Sequence, residues 1–520
     1  MAKSTGYLEQ ALTSPTTERF RIGICLLFLL GVWLYVGQIS ADTPSSMLLM
    51  AAAVIGGYMA INIGANDVAN NVGPAVGSGA LSLGAAVLLA AVFEAGGAII
   101  AGGDVVSTIK GGIIDAKRVS DASTFVWLMT AALLAGALWL NLATWMGAPV
   151  STTHSIVGGV LGAGIAAGGW NIVDWSVIGA IVASWVVSPV LGGALAALFL
   201  YLIKRTVLYR QDVVAAARTF VPWVVGIMAW AFGTYLMVKG VKKLIKVDFL
   251  TASLVGLGVA VVVFVAMRML VSRRAATMQN NTAGVNALFV WPLIFAAALL
   301  SFAHGANDVA NAIGPLAAIN DALAGGAVVT TAGIPLWVML VGALGLAVGL
   351  MLFGPRLIRT VGSEITELDK TRAFCIALSA ALTVIIASQL GLPVSSTHIA
   401  IGGVFGVGFL REYLKSNYAS QIHNIIENHD ERERARLQPF LDDFRNASVE
   451  EMESLLKQAR KKKKDLPLSK SERKRLKKIY REELVKRSHL TRIIAAWIIT
   501  VPVSAALAAL LFFTLRGLLL

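Results

Sequence analysis

The apolar run Met47–Ile63 leads directly into Gly64-Ala-Asn-Asp-Val-Ala-Asn70. The same heptapeptide returns at Gly305–Asn311, again at the end of an apolar run. A second pair follows in the same order: Pro149-Val-Ser-Thr-Thr-His154 and Pro393-Val-Ser-Ser-Thr-His398. The copies lie 241 residues apart for the first motif and 244 for the second. Two ordered motifs at nearly one offset mark a duplicated chain. Ionisable groups at membrane depth are costly unless they face a cavity or a partner, so paired polar motifs there mark a solute pathway.

Composition places the chain in a bilayer. Of its 520 residues 57% are hydrophobic and 14% charged, against roughly 25% charged in a soluble domain. Mean hydropathy is +0.73. Apolar runs from Ile22–Val36 to Ile493–Leu515 are long enough to cross a hydrocarbon core of ~30 Å. Ser155–Ala167 and Ile399–Phe409 are apolar but short and read as half-helices. The expected fold is an all-α polytopic membrane protein with broken or re-entrant helices and about 11–12 transmembrane segments. Cys25 and Cys375 both fall inside apolar runs, so neither a disulfide framework nor a Cys/His metal site is readable. Polar residues up to Arg21 lead into a span without a small-residue cleavage pattern, so no cleavable signal is expected.

The charge pattern divides the chain further. Residues 411–492 hold 22 Lys/Arg and 14 Asp/Glu, a net +8 of the total +14. This stretch reads as a basic cytoplasmic insertion with helical segments at Glu450–Arg460 and Ser471–Val485. Its first reading is a solvated loop and its sharper one contact with anionic lipid or a regulator; no aromatic or motif signal supports nucleic acid. Lys239, Lys242, Lys243 and Lys246 read as one face of a short interfacial helix. The expected organisation is an N-terminal tail with an extra first span (1–46), transport repeat 1 (47–203) and a two-span connection (204–287). The core of transport repeat 2 (288–410), the insertion (411–492) and a final span (493–520) follow. Six clear spans plus the short Ser155–Ala167 segment separate Asp67 from Asp308. Six crossings make the halves parallel and seven make them inverted; hydropathy alone allows both.

The motifs carry chemistry. A Gly before Asn-Asp lets the backbone turn, so each heptad is expected to break a membrane helix and restart it, with Asn or Asp capping the new start. Pro149 and Pro393 stop the preceding helices, and Ser151-Thr152-Thr153 and Ser395-Ser396-Thr397 start new ones. Hydroxyls, helix-start amides and a His suit an oxyanion. Asp67 and Asp308 face one cavity from the two halves, and neither motif contains Lys or Arg. An anion there is repelled by several kcal/mol per pair even at an effective dielectric constant of about 20. Anion binding therefore requires a cation or proton to bind as well. Glu94 lies inside an apolar run and is a functional acid. His304 precedes only the second heptad; Ile63 holds the matching place in the first, so His304 is a one-sided candidate for proton handling.

These residues resemble the inorganic phosphate transporter (phosphate permease) family. The likeness rests on Gly64–Asn70, His304–Pro315, Pro149–His154 and Pro393–His398, with Phe93-Glu94, Lys110–Asp115 and Arg356–Gly362. It implies secondary symport of phosphate with H⁺ or Na⁺, two inverted repeats, a homodimer and a plasma (inner) membrane location. By motif match it makes Asn66, Asn307, Ser151, Thr152, Thr153, Ser395, Ser396 and Thr397 phosphate-site residues. Asp67, Asp308 and Glu94 become coupling-ion residues, with Na⁺ a candidate at Asp67 and Asp308. No cofactor and no enzymatic activity are implied, and metal–phosphate is a candidate substrate form. Ala377 stands where some relatives carry an acid. Rival readings are a sulfate or other oxyanion symporter, an intramembrane hydrolase built on Ser151, His154 and Asp67, and an anion channel.

Overall fold

The computed structural model describes residues 15–41, 45–146, 148, 150–240, 247–325, 333–355, 358, 368–415, 429–446, eight positions between 455 and 476, and 487–519. Among them the chain is helical apart from turns and one isolated bridge, Ile114 with Val173. Ten helices are long and apolar enough to cross a membrane, and Leu336–Leu352 is a shorter apolar one. These account for the eleven expected spans. The proposed interfacial lysines at 242, 243 and 246 lie outside the described residues, as do most of Arg356–Gly362 and of the helical segments expected in the insertion.

The first half comprises α1 (Pro15–Ile39), α2 (Ser46–Gly77), α3 (Leu83–Ala101), α4 (Gly103–Gly111), α5 (Ala122–Met146), α6 (Thr152–Gly168) and α7 (Trp175–Ile203). Two connecting spans follow, α8 (Val213–Lys239) and α9 (Phe249–Ala275). The second half holds α10 (Thr282–Leu288), α11 (Val290–Asp308), α12 (Ala310–Gly325), α13 (Leu336–Leu352), α14 (Lys370–Gln389) and α15 (Ser396–Lys415). The insertion contributes α16 (Glu431–Asn446), and α17 (Arg487–Leu519) ends the chain. Polar caps start helices where the apolar runs end. Asp174 Oδ1 accepts from the amides of Ser176 (3.0 Å) and Val177 (3.2 Å), and Asp121 Oδ1 accepts from Thr124 N (2.8 Å). The Thr124 amide holds the Asp121 carboxyl below the usual carboxylate range, and the Ser176 hydroxyl (2.6 Å), ahead of the amides, does the same for Asp174.

Helices α5 and α6 form a hairpin. Their outer ends meet: Asp115 N donates to Ile172 O (2.8 Å) and Asp174 N to Ile113 O (3.0 Å). Between the two helices, Val150 and Ser151 are buried in the interior. Helices α14 and α15 form the matching hairpin with its tip at 390–395. The short segments expected as half-helices lie in α6 (17 residues) and α15 (20 residues).

Close glycine contacts reveal the pseudo-symmetry. A Cβ on Gly158 or Gly162 of α6 would strike the α17 backbone at Val501 or Ala505. A Cβ on Gly402 or Gly406 of α15 would strike α7 at Pro189 or Gly193. Each hairpin therefore packs on the final helix of the other half. A Cβ on Gly64 of α2 would meet the Leu346 carbonyl of α13, and one on Gly305 of α11 would meet the Glu94 carbonyl of α3. The arrangement is compatible with inverted repeats.

One expectation fails. The first heptad does not break its helix: α2 runs unbroken through Gly64, Asp67 and Pro74. Gly64 lets two helices touch rather than making a turn, which is the same chemical property used differently. In the second copy the interruption is a single residue, Val309, between α11 and α12. Neither Asp67 nor Asp308 caps a new helix; both side chains are left for the interior.

Candidate functional site

Both hairpin tips and both heptads converge on one buried polar centre. Ser151 Oγ accepts from His154 N (3.1 Å) and Ser395 Oγ from His398 N (3.3 Å), so each serine starts its helix as expected. The amides of Thr152 and Thr153 in α6, and of Ser396 and Thr397 in α15, belong to first turns without intrahelical acceptors. The two tips touch: Thr153 Oγ1 donates to Val394 O (2.9 Å), and the rings of His154 and His398 lie 4.5 Å apart. Two positive helix ends from opposite halves thus face a shared space, an arrangement suited to an anion.

The heptad asparagines hold these tips in place. Asn307 Nδ2 donates to Ser388 Oγ (2.9 Å) and Leu392 O (3.2 Å), and its Oδ1 accepts from Val394 N (3.2 Å). Asn66, with its amide oriented to satisfy its neighbours, accepts from Thr144 Oγ1 (3.0 Å) and donates to Val150 O (3.3 Å). Both expected substrate residues are therefore engaged in positioning hairpin tips. The last Asn of each heptad, one turn beyond the Asp, crosses to the other half. Asn70 Nδ2 donates to Thr397 Oγ1 (2.8 Å), and Asn311 Nδ2 to Thr153 Oγ1 (3.2 Å) and Thr152 Oγ1 (3.3 Å). These two asparagines were not among the expected site residues. Their position three residues after each Asp, on the same helix face, was the available signal.

The carboxylates surround His304. Its Nε2 lies 2.8 Å from Asp308 Oδ2 and 3.7 Å from Asp67 Oδ2, and its Nδ1 lies 3.3 Å from Glu94 Oε1. Asn71 Nδ2 donates to the same Glu94 oxygen (2.7 Å). Hydroxyls reach the two aspartates from the second hairpin: Ser396 Oγ donates to Asp308 Oδ2 (3.0 Å) and Thr397 Oγ1 to Asp67 Oδ1 (3.3 Å). All of these side chains are buried. Ligand atoms of Asp67, His304 and Asp308 lie within 4.8 Å of one another, a geometry able to hold a cation. Lys110 is buried as well, but it pairs with Asp321. The structure thus gathers every expected site residue around one centre. Ser151 and Ser395 serve there as caps, and Asn66 and Asn307 as braces.

The sequence is similar to known proteins along most of its length. The profile described as "Phosphate transporter family" matches residues 63–508, beginning after α1. A Helicobacter pylori (strain J99) protein named "Putative phosphate permease" is 52% identical over 517 residues, covering 98% of this chain and 97% of its own. A Pyrococcus abyssi protein of the same description is 39% identical and covers 73% of this chain and 92% of its own. A solved structure titled "The sodium-dependent phosphate transporter" superposes with a TM-score of 0.74 at 31% identity, covering 91% of this chain and 99% of that one. A duplicated set of membrane helices, two facing hairpin tips and a match across residues 63–508 lead to one conclusion: the chain belongs to the phosphate transporter family.

Proposed function

We propose that the protein takes up inorganic phosphate by secondary active symport with a cation. The anion binds between the two hairpin tips, near mid-membrane. The carrying observation is the juxtaposition of first-turn amides and hydroxyls from α6 and α15 with three buried acids and one histidine. Amides and hydroxyls favour a tetrahedral oxyanion. Asp67, Asp308 and Glu94 repel it unless positive charge arrives with it. Phosphate and the coupled cation therefore stabilise each other's occupancy, which is the physical basis of obligatory coupling. Thr152, Thr153, Ser396 and Thr397 are the anion contacts in this reading, and Asp67, Asp308 and Glu94 receive the cation.

The coupled cation is H⁺ or Na⁺. His304 within 2.8 Å of Asp308 favours a proton, since imidazole takes one up near neutral pH. The structural neighbour's printed name favours Na⁺. Uptake of labelled phosphate into proteoliposomes, with Na⁺ replaced by choline at a fixed pH gradient, separates the two. Persistence of uptake supports the proton; its loss supports Na⁺. Uptake that sulfate carries in place of phosphate would overturn the substrate assignment. Flux that never exceeds the phosphate gradient would indicate a channel. Less supports the hydrolase reading: Ser151 Oγ caps the His154 amide, and among the described residues neither ring nitrogen of His154 has a hydrogen-bond partner, so no base is seen on that hydroxyl.

A further inference from the structure

Helix α1 lies ahead of the stretch that the family profile matches, yet it is packed against the transport core. Its inner stripe is Glu18, Arg21, Ile22, Cys25, Leu26 and Leu29, at i, i+3, i+4, i+7, i+8 and i+11, one face of a helix. That stripe walls an open cavity of about 390 Å³, whose far wall sets polar Tyr58, Asn62, Asn141 and Thr144 among apolar Ile61, Ala65, Trp145 and Phe353. Space on this scale holds on the order of ten waters, or a phosphate with part of its hydration shell. Asn141 is exposed and donates to Asn62 Oδ1 (3.3 Å). Asn141 sits little more than a turn before the end of α5, on a membrane-embedded hairpin. Amide groups exposed at that depth are tolerated where water reaches them and are costly against hydrocarbon.

The cavity floor adjoins the site. Thr144 lines the cavity and its hydroxyl hydrogen-bonds Asn66, next to Asp67. The other hairpin tip is covered. Thr108 Oγ1 of α4 donates to Gly391 O (2.7 Å), and Trp185 Nε1 of α7 donates to Pro393 O (3.1 Å). Gly391 has φ +67°, a left-handed conformation that tightens this tip beneath α4.

We propose that α1 encloses a water-filled access vestibule, through which phosphate and its coupled cation reach the first hairpin tip from the face on which α1 begins. Its outer end carries Glu18 and Arg21, and its polar wall is the Asn62–Asn141 pair. The route rests on the transport reading above; the presence of water in the cavity does not.

The two cysteines make the unmodified chain its own reporter. Cys25 is on the vestibule wall, and Cys375 is fully buried in α14. Proteoliposomes are treated on both faces with a cationic methanethiosulfonate, which cannot enter hydrocarbon, or with membrane-permeant N-ethylmaleimide. Mass spectrometry reads the modified cysteine, and initial phosphate uptake is followed in parallel. The cationic reagent is expected to modify Cys25 and leave Cys375 untouched, with uptake falling several-fold in proportion to the modified fraction. A Cys25 that resists the cationic reagent, whatever N-ethylmaleimide does, overturns the water-filled cavity. Full modification with undiminished uptake overturns the route. Uptake by untreated protein is measured first; its absence refutes the transport reading and the route with it, while labelling still reports on water at Cys25.

Discussion

His304 Nδ1 stands 3.3 Å from Glu94 Oε1, and the other half of the molecule has no counterpart to this pair. Ile63 occupies the place of His304 one residue before the first heptad. Leu346 occupies the place of Glu94, because its carbonyl faces Gly64 as that of Glu94 faces Gly305. The hairpin tips and their crossed asparagines are therefore two-fold and the acid–histidine chain one-sided. A two-fold site suits a tetrahedral ion approached from either face. A one-sided chain suits a single positive charge taken up per cycle.

Glu94→Gln and His304→Gln test that division. Each leaves the tips and their hydroxyls intact but removes one member of the buried chain. The loss of a partner to a buried charged group costs about 1–3 kcal/mol, roughly five- to 150-fold in occupancy of the loaded state. Both variants should lower phosphate uptake by that order at low cation concentration, and His304→Gln should also flatten the dependence of uptake on pH. An unchanged pH profile in His304→Gln would remove the histidine from proton handling.

The crossed asparagines should act in the same sense. Asn70 bonds Thr397, and Asn311 bonds Thr153 and Thr152, each joining a heptad of one half to the hairpin of the other. Asn70→Ala and Asn311→Ala are both expected to weaken phosphate binding, by about 1 kcal/mol for each net hydrogen bond lost, so Asn311→Ala at least as much as Asn70→Ala. Double-mutant cycles of Asn70 with Thr397, and of Asn311 with Thr153, should give matching coupling energies. A coupling confined to one pair would mean that the two tips do not share the anion evenly.

The buried ion pair of Lys110 on α4 with Asp321 on α12 has a structural signature. Removal of one partner strands a charge in a low-dielectric interior. Lys110→Met should cost about 3–5 kcal/mol, seen as a lower unfolding temperature in detergent. Lys110→Met combined with Asp321→Leu should recover much of that loss. If the double variant is as unstable as the single one, the pair contributes more than mutual neutralisation, and α4 depends on it for its position over Gly391.

Much of this was legible in the sequence, and the rest was not for identifiable reasons. Pro393 and the Ser/Thr runs signalled helix stops and starts through local chemistry, and the hairpins follow from them. His304 announced the asymmetry because the first heptad offers Ile63 for comparison. Gly64 reads as a turn in the sequence because glycine signals a bend and a close approach equally; its partner, Leu346, lies in the other half of the chain. Asp321 and Lys110 carry no local sign of each other. Asn70 and Asn311 were readable, being one turn from the aspartates, but the asparagines adjacent to those aspartates drew the assignment instead.

The two aspartates should fail in different ways. Asp308 is 2.8 Å from His304 Nε2 and accepts from Ser396, whereas Asp67 is 3.7 Å from the same nitrogen and accepts from Thr397. Asp308→Asn breaks the closer contact with the one-sided chain, so residual uptake should lose its pH dependence. Asp67→Asn leaves His304 with Asp308 and Glu94 but removes a negative ligand from the cation site. Its residual uptake should keep the pH profile and demand a higher cation concentration. The loss of one unit charge about 4 Å from a bound cation weakens binding by roughly 4 kcal/mol at an effective dielectric constant near 20, so uptake in both variants should be low. The distinction is therefore best measured as cation-dependent phosphate binding to the purified protein across a pH series. If Asp67→Asn and Asp308→Asn show the same pH profile, His304 does not distinguish the two acids, and the three groups act as a single cation site.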